Sequence, residues 1–314
     1  MRPPRQGDCR VPVGRLRAWA QLLRLPNLLT VPGDPIAGFL LAQASGGAGA
    51  SMDPRLPWAA AASLALYCAG LLANDYFDLA EDRRDRPARP LPAGMVRPGA
   101  ALAAAIALAA AGVGAAAQAG TAATIVAAIL AATIFAYDAA VKKLPLLGPL
   151  AMGACRGLSL LVGAAAASPA AMGTPAVALA AGGLALYVAA VTSAARGETS
   201  ARRLGWRRWA PVVALLAWLP AVAVLPASTG CAARWACGGL AALAVLTAIG
   251  QAIRLGGLPA PLTVQRAIGG WIGCLLLVQA ALAASTGPAG LAAAAALAGA
   301  FAVFGPLARR FHAS

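Results

Sequence analysis

Apolar runs long enough to cross a membrane as helices, about 20 residues each, recur along almost the whole chain. Such a helix spans a hydrocarbon core of roughly 30 Å and satisfies its backbone polar groups internally. The runs of about ten residues with alternating polarity that are typical of membrane β-barrels are missing. The sequence therefore predicts an all-α, polytopic integral membrane helix bundle with nine to ten transmembrane helices. The candidate spans lie near 22–44, 57–74, 99–117, 121–138, 147–167, 174–195, 209–226, 231–253, 267–285 and 288–308.

The charged residues exclude a soluble protein and indicate an orientation. Only 11% of the residues are charged, against about 25% in a soluble globular domain, and the mean hydropathy is +0.75. A net charge of +15 would suit a nucleic-acid-binding protein, but most of the 25 Lys and Arg residues fall on alternate loops. Cytoplasmic loops carry such an excess. We therefore predict a multi-pass protein of the cell membrane with both termini in the cytoplasm, the lipid bilayer as its surroundings and no nucleic acid as partner.

The polar segments define a simple domain organisation. Residues 1–21 form a basic segment that we expect to be a cytoplasmic tail, and residues 309–314 form a short C-terminal tail. Nothing between them has the composition of a separate soluble domain, so residues 22–308 are predicted to form a single transmembrane domain.

The segment 75–85 gathers half of the acidic residues of the chain directly after the second apolar run. On one continuous helix, with about 100° per residue, Asp75, Asp78, Asp82 and Asp85 would share a face. Carboxylates this close repel one another, so a cation should offset them. Local arginines such as Arg89 would make the segment a solvated, salt-bridged loop. A divalent metal is the other candidate, and oxygen ligands alone suit Mg²⁺.

Two motifs in this region carry a family resemblance. The residues NDYFDLAED (74–82) fit N-D-x-x-D-x-x-x-D, and RPARPLPAG (86–94) fits R-x-x-R-P-[LI]-P-[SA]-G. This pattern resembles the first aspartate-rich motif of the UbiA superfamily of membrane prenyltransferases. The resemblance implies a central cavity open to the cytoplasm, in which Asp75, Asp78 and Asp82 hold Mg²⁺ and Asn74 is a ligand or partner. An isoprenoid diphosphate would bind there, ionise to an allylic carbocation and prenylate an acceptor that the sequence does not identify.

The resemblance extends to polar residues at both ends of other spans. Arg24 and Asn27 match an Arg-x-x-Asn element that faces the cavity in family members. A Tyr-x-x-x-Lys-like element, in which the lysine contacts the diphosphate, corresponds to Tyr137 followed by Lys142 and Lys143, although Tyr137 precedes Lys142 by five residues rather than four. Either lysine can serve, or both are simply basic flanks of a span.

Three ionisable residues at membrane depth need partners of their own, since such residues are costly there. Arg156 lies inside the fifth span and requires an anion, either a diphosphate oxygen or an aspartate. Asp34 would share a helical face with Asn27 if the first span is continuous, where its carboxylate would position an acceptor. Asp138 is interpreted as a salt-bridge partner of Lys142 one helical turn on, with metal or acceptor binding as the alternative.

The second acidic motif of the family, D-x-x-x-D after the sixth span, is incomplete. The corresponding segment reads VTSAARGETSARR, in which Glu198 is the only carboxylate and Ala194 stands four residues before it. Arg196 is predicted to contact phosphate. The segment YDAAVKK…GPLAMGACRG resembles an EboC-like branch of the superfamily that has no firm prenyl-transfer assignment. A non-catalytic UbiA-like transporter or accessory protein that binds an isoprenoid or pathway intermediate is therefore the alternative to a prenyltransferase.

Overall fold

The computed structural model describes residues 14–46, 53–196, 204–222 and 230–311. Within these ranges every regular element is a helix. The α-helices are α1 (Arg15–Leu22), α2 (Leu25–Leu28), α3 (Gly33–Ser45), α4 (Arg55–Phe77), α5 (Leu79–Asp85), α6 (Pro98–Ala119), α7 (Thr121–Ala139), α8 (Leu147–Ala167), α9 (Pro175–Ala195), α10 (Ala210–Val222), α11 (Cys231–Arg254), α12 (Pro261–Ala284) and α13 (Pro288–Phe311). Short 3₁₀ turns lie at Val141–Lys143, Pro169–Gly173 and Gly205–Trp209.

Eight helices in the described ranges are long and apolar enough to cross a membrane: α4, α6, α7, α8, α9, α11, α12 and α13. The shorter helices α3 and α10, with 13 residues each, lie in the two remaining predicted spans. The predicted class, an all-α polytopic membrane bundle, is confirmed, and the predicted nine to ten helices correspond to eight long ones and two short ones.

The first predicted span is not one continuous helix, so the condition for a shared face of Asn27 and Asp34 is not met. After α1, Arg24 adopts a left-handed backbone conformation with φ of 45°. The four-residue α2 follows, with Pro26 in its first turn, and α3 begins only after Pro32. Proline lacks the N–H that a continuing helix needs, and a left-handed non-glycine residue interrupts helical geometry. Asn27 and Asp34 consequently do not share the face of a single helix.

Small residues let the central helices approach closely. A Cβ atom added to Gly38 of α3 would collide with the backbone carbonyl of Leu160 in α8, and one added to Gly153 of α8 would collide with that of Ala185 in α9. In a bilayer, helix association depends on such close packing rather than on a hydrophobic driving force. Helix α12 is also part of the core, and every residue from Gly273 to Ala284 is buried.

The topology brings several helix ends to one end of the bundle. Side-chain contacts connect the end of α4, the end of α7, the turn before α8 and the residue after α9 there. The polar residues that the sequence singled out lie mainly at these helix ends.

Candidate active site

The aspartate-rich segment is divided by a break at Asp78. Helix α4 ends at Phe77, Asp78 has φ −87° and ψ 0°, and α5 begins at Leu79. The predicted continuous helix is therefore wrong, although Asp78 N–H still donates to Asn74 and Asp82 N–H to Asp78 across the break. Asp75 and Asp82 are buried whereas Asp85 is exposed, so the four carboxylates do not form one uniform face. The helical periodicity of the sequence has no signal for a one-residue break.

Two arginines neutralise the buried pair of aspartates. Arg24 Nη2 lies 3.1 Å from Asp75 Oδ1. Arg89 Nη1 donates to both carboxylate oxygens of Asp82, at 3.1 and 2.8 Å, and lies 3.9 Å from Asp75. Arg24, which lies between α1 and α2, thus contacts Asp75 of α4. Arg89 thus bridges two aspartates of the motif, and the structure combines the carboxylates with the local arginine that the sequence offered as their counter-ion.

A second pair of contacts links the motif to the end of α7. Lys142 Nζ lies 2.7 Å from Asp78, and the Asn74 amide donates to Asp138 at 3.0 Å. The predicted pairing of Asp138 with Lys142 one helical turn on was therefore wrong. The chain leaves the helix at Ala140, where φ is −146°, so helical spacing no longer relates Asp138 to Lys142.

The remaining predicted residues of the site have four different outcomes. Lys143 is exposed. Arg196 donates through Nη2 to the backbone carbonyls of Lys142 (2.8 Å) and Leu144 (2.5 Å), so its partners in the structure are backbone oxygens, and its predicted phosphate contact stays a prediction. The Asn27 side chain lies near that of Tyr67. Glu198 lies outside the described residues.

A separate polar cluster lies in the interior of the bundle. Arg156 Nε lies 3.0 Å from Asp34, and its Nη2 donates to the Thr30 carbonyl at 2.7 Å. Gln279 of α12 donates through Nε2 to Asp34 at 2.6 Å and to the same carbonyl at 2.7 Å. Of the two anions considered for Arg156, the structure supplies the aspartate. The sequence reasoning missed Gln279, although a lone amide in the apolar run GCLLLVQAALAA is the signal that membrane depth makes informative.

The donor atoms at the helix ends fit Mg²⁺ in chemical type. Among the described residues, no three His, Cys, Asp or Glu side chains lie close enough together to hold a metal ion. Protein sites for Mg²⁺, however, commonly supply only one or two carboxylates and leave the other positions to water and substrate phosphates. One or two of the carboxylates of Asp75, Asp78 and Asp82 would meet that requirement if Arg24, Arg89 and Lys142 release them.

The comparison with protein families assigns the chain. The model of the UbiA prenyltransferase family matches residues 35–266, which is most of the sequence. The chain belongs to the UbiA prenyltransferase family. This UbiA family member is 33% identical over 153 residues to a digeranylgeranylglyceryl phosphate synthase of Ignicoccus hospitalis, a match that covers 49% of the chain and 48% of that synthase. The matched part thus spans about half the length of this curated relative.

Solved structures of UbiA homologues share the fold. The apo structure of a homologue from Aeropyrum pernix superimposes with a TM-score of 0.62 at 22% identity, over 81% of this chain and 96% of that one. A homologue from Archaeoglobus fulgidus, solved with GPP and Mg²⁺, gives 0.53 at 14% identity, over 84% and 99%. These likenesses confirm the UbiA fold that the aspartate-rich motif predicted.

Proposed function

We propose that this UbiA family protein transfers a prenyl group from an isoprenoid diphosphate to an acceptor, with Mg²⁺ as cofactor. One observation carries the proposal: each of three aspartates of the motif contacts a cationic side chain at one end of the bundle. Paired charges of this kind can exchange partners when a doubly charged metal and a charged diphosphate arrive together. A salt-bridged loop at the membrane surface would not require burial of Asp75 and Asp82.

Each side chain has a distinct task in this proposal. Asp75, Asp78 and Asp82 would hold Mg²⁺, which when bound supplies Lewis-acid stabilisation of the diphosphate leaving group. The basic groups that now contact these aspartates, Arg24 and Lys142 among them, would turn to the diphosphate oxygens. Arginine and lysine both suit that role, because charge-assisted hydrogen bonds to phosphate are among the stronger ones. Because the cations are already in place, they need only short side-chain movements to exchange partners.

The chemical step needs charge stabilisation more than acid–base chemistry. The allylic C–O bond breaks, its electron pair leaves with the diphosphate, and the carbocation is captured by a nucleophilic atom of the acceptor, which then loses a proton. Cations of the chain that are fixed beside the leaving group stabilise the charge that develops there without reorganising. The apolar walls of the bundle would keep water away from the carbocation.

The acceptor is proposed by analogy with the relatives. Their name, digeranylgeranylglyceryl phosphate synthase, gives as their product a glyceryl phosphate that carries two geranylgeranyl groups. A lipid-like glyceryl phosphate is therefore the first acceptor to test here, together with aromatic acceptors.

We further propose that the protein lies in the cell membrane and that its cavity opens to the cytoplasmic side, which the distribution of basic residues supports. Reporter fusions at both termini test this orientation, and a terminus outside the cytoplasm would refute it.

Diphosphate release from purified protein tests the activity. With Mg²⁺, an acceptor panel and labelled prenyl diphosphates of several lengths, we expect release that EDTA abolishes. Asp78→Ala should lower it by about 100-fold or more, because it removes a ligand of the leaving-group metal. Asp53→Ala is the matched control, since among the described residues Asp53 pairs with the neighbouring Arg55. Prenyl diphosphate binding without turnover for every acceptor would overturn the proposal and favour the non-catalytic alternative.

A further inference from the structure

Arg196 connects the end of α9 to the turn that carries Lys142. Its Nη2 atom donates to two carbonyl oxygens of that turn, those of Lys142 and Leu144. The residue lies directly after α9, with an extended backbone (φ −61°, ψ 121°). In this position the side chain crosses from one helix to the turn before the next, and a single guanidinium nitrogen holds two points of the backbone.

The start of α8 accommodates this contact. A Cβ atom added to Gly148 would lie 2.6 Å from Arg196 Nη2 and 2.9 Å from the Lys142 carbonyl oxygen. Both distances are too short for a real side chain. Glycine at this position therefore leaves room for the guanidinium against the turn, and any larger residue would displace one of the two groups.

The turn positions one of only two lysines in the chain. All other basic side chains except His312 are arginines, and the two lysines are neighbours, Lys142 and Lys143. Lys143 is exposed, whereas the Lys142 side chain is 12% exposed and its ammonium group lies 2.7 Å from Asp78. The two lysines thus differ in environment although they are adjacent, and the turn geometry creates that difference.

We infer that Arg196 is a positioning residue that acts through Lys142. It occupies the segment where the family resemblance calls for a second acidic motif, and instead of binding metal it fixes the turn so that the Lys142 ammonium lies against the aspartate-rich motif. This inference rests on the proposed function for its catalytic consequence, but the geometric part does not depend on turnover. It differs from a direct contact between Arg196 and the diphosphate, in which the guanidinium would act independently of Lys142.

Amine acylation tests the geometry without any catalysis. The protein in nanodiscs is treated with a limiting amine-acylating reagent, and the modification of Lys142 relative to Lys143 is measured by mass spectrometry. Lys142 should react more slowly in the native protein. Arg196→Gln should raise the Lys142 rate several-fold and leave that of Lys143 unchanged, and Gly148→Ala should do the same while the arginine charge is retained. Arg254→Gln is the control, because this exposed arginine contacts only Gln251 of its own helix in the described structure.

A double-mutant cycle tests the catalytic consequence. Arg196→Gln should lower kcat for prenyl transfer by roughly 10- to 100-fold, because a misplaced Lys142 no longer meets the charge that develops on the leaving group. In Lys142→Gln protein the added Arg196→Gln change should cost almost nothing more, since two residues that act as a unit are not additive. Arg196→Lys, which can still donate to carbonyls, should recover part of the loss.

Two outcomes would overturn the inference. Unchanged Lys142 acylation in both Arg196→Gln and Gly148→Ala would show that the turn does not depend on the arginine. Losses that multiply in the double variant, with a raised KM for the prenyl diphosphate, would assign Arg196 a contact with the substrate itself. If the protein has no transferase activity with any substrate, the proposed function fails, and the acylation result still decides the geometry.

Discussion

Replacing Asp34 by Asn should destabilise the bundle strongly, because it leaves the buried Arg156 without a counter-charge. Asp34 is 0% exposed and Arg156 is 7% exposed. Asparagine keeps the size of the side chain and an oxygen that accepts from Gln279, so the substitution removes the charge in particular. Removing one partner of a buried ion pair typically costs about 3–5 kcal/mol. We therefore expect the free energy of unfolding to fall by about 3–5 kcal/mol.

Reversible unfolding in mixed micelles, followed by circular dichroism as the SDS fraction rises, measures this loss. The double variant Asp34→Asn/Arg156→Gln is the comparison, since it leaves no uncompensated buried charge, which is the main cost of breaking such a pair. It should be clearly more stable than Asp34→Asn alone. A loss below about 1 kcal/mol, the scale of an exposed pair, or a double variant no better than the single one, would refute the structural role. Arg156 would then be free to bind diphosphate, as the sequence also allowed.

Two further substitutions test the packing. Gly38→Ala should lower the free energy of unfolding by about 1–3 kcal/mol, because the new Cβ would collide with the Leu160 carbonyl and push α3 away from α8. Gly114 faces open space on α6, so Gly114→Ala should be neutral or stabilising in the same unfolding assay. Equal effects of the two changes would contradict the close approach of α3 and α8. Tyr187→Phe should lower the free energy of unfolding by about 1 kcal/mol, since the Tyr187 hydroxyl donates to the Trp271 carbonyl at 2.7 Å in the core. A variant as stable as the native protein would show that this hydrogen bond makes no net contribution to stability.

Much of the molecule could be predicted from local patterns. Long apolar runs predicted the helices because a bilayer leaves the backbone few alternatives, and the motif at 74–82 predicted the family. The breaks at Arg24 and Asp78 could not be predicted in the same way. Prolines near the first break indicated an irregularity without its geometry, and nothing in the sequence around Asp78 distinguishes it from the interior of a helix.

Partner choice was the other part that local reasoning missed. The sequence presented Arg156, Asp34 and Asp138 as ionisable residues in need of partners, and this need follows from the cost of burying charge. Which partner each one takes depends on residues far away in the chain, such as Gln279 for Asp34 and Asn74 for Asp138.

The sequence by itself determined the membrane bundle, the family and the types of side chain at the site, because hydrophobicity and a dense local motif are readable one segment at a time. Only the tertiary structure decided that Lys142 forms an ion pair with Asp78 and that Arg89 bridges Asp75 and Asp82. It also decided that Arg196 donates to backbone carbonyls of the turn before α8. Arg89 lies only seven residues after Asp82, but the contacts of Lys142 and Arg196 join segments that are distant in sequence. They are set by how the helix ends meet, and the periodicity of a single helix carries no information about that meeting.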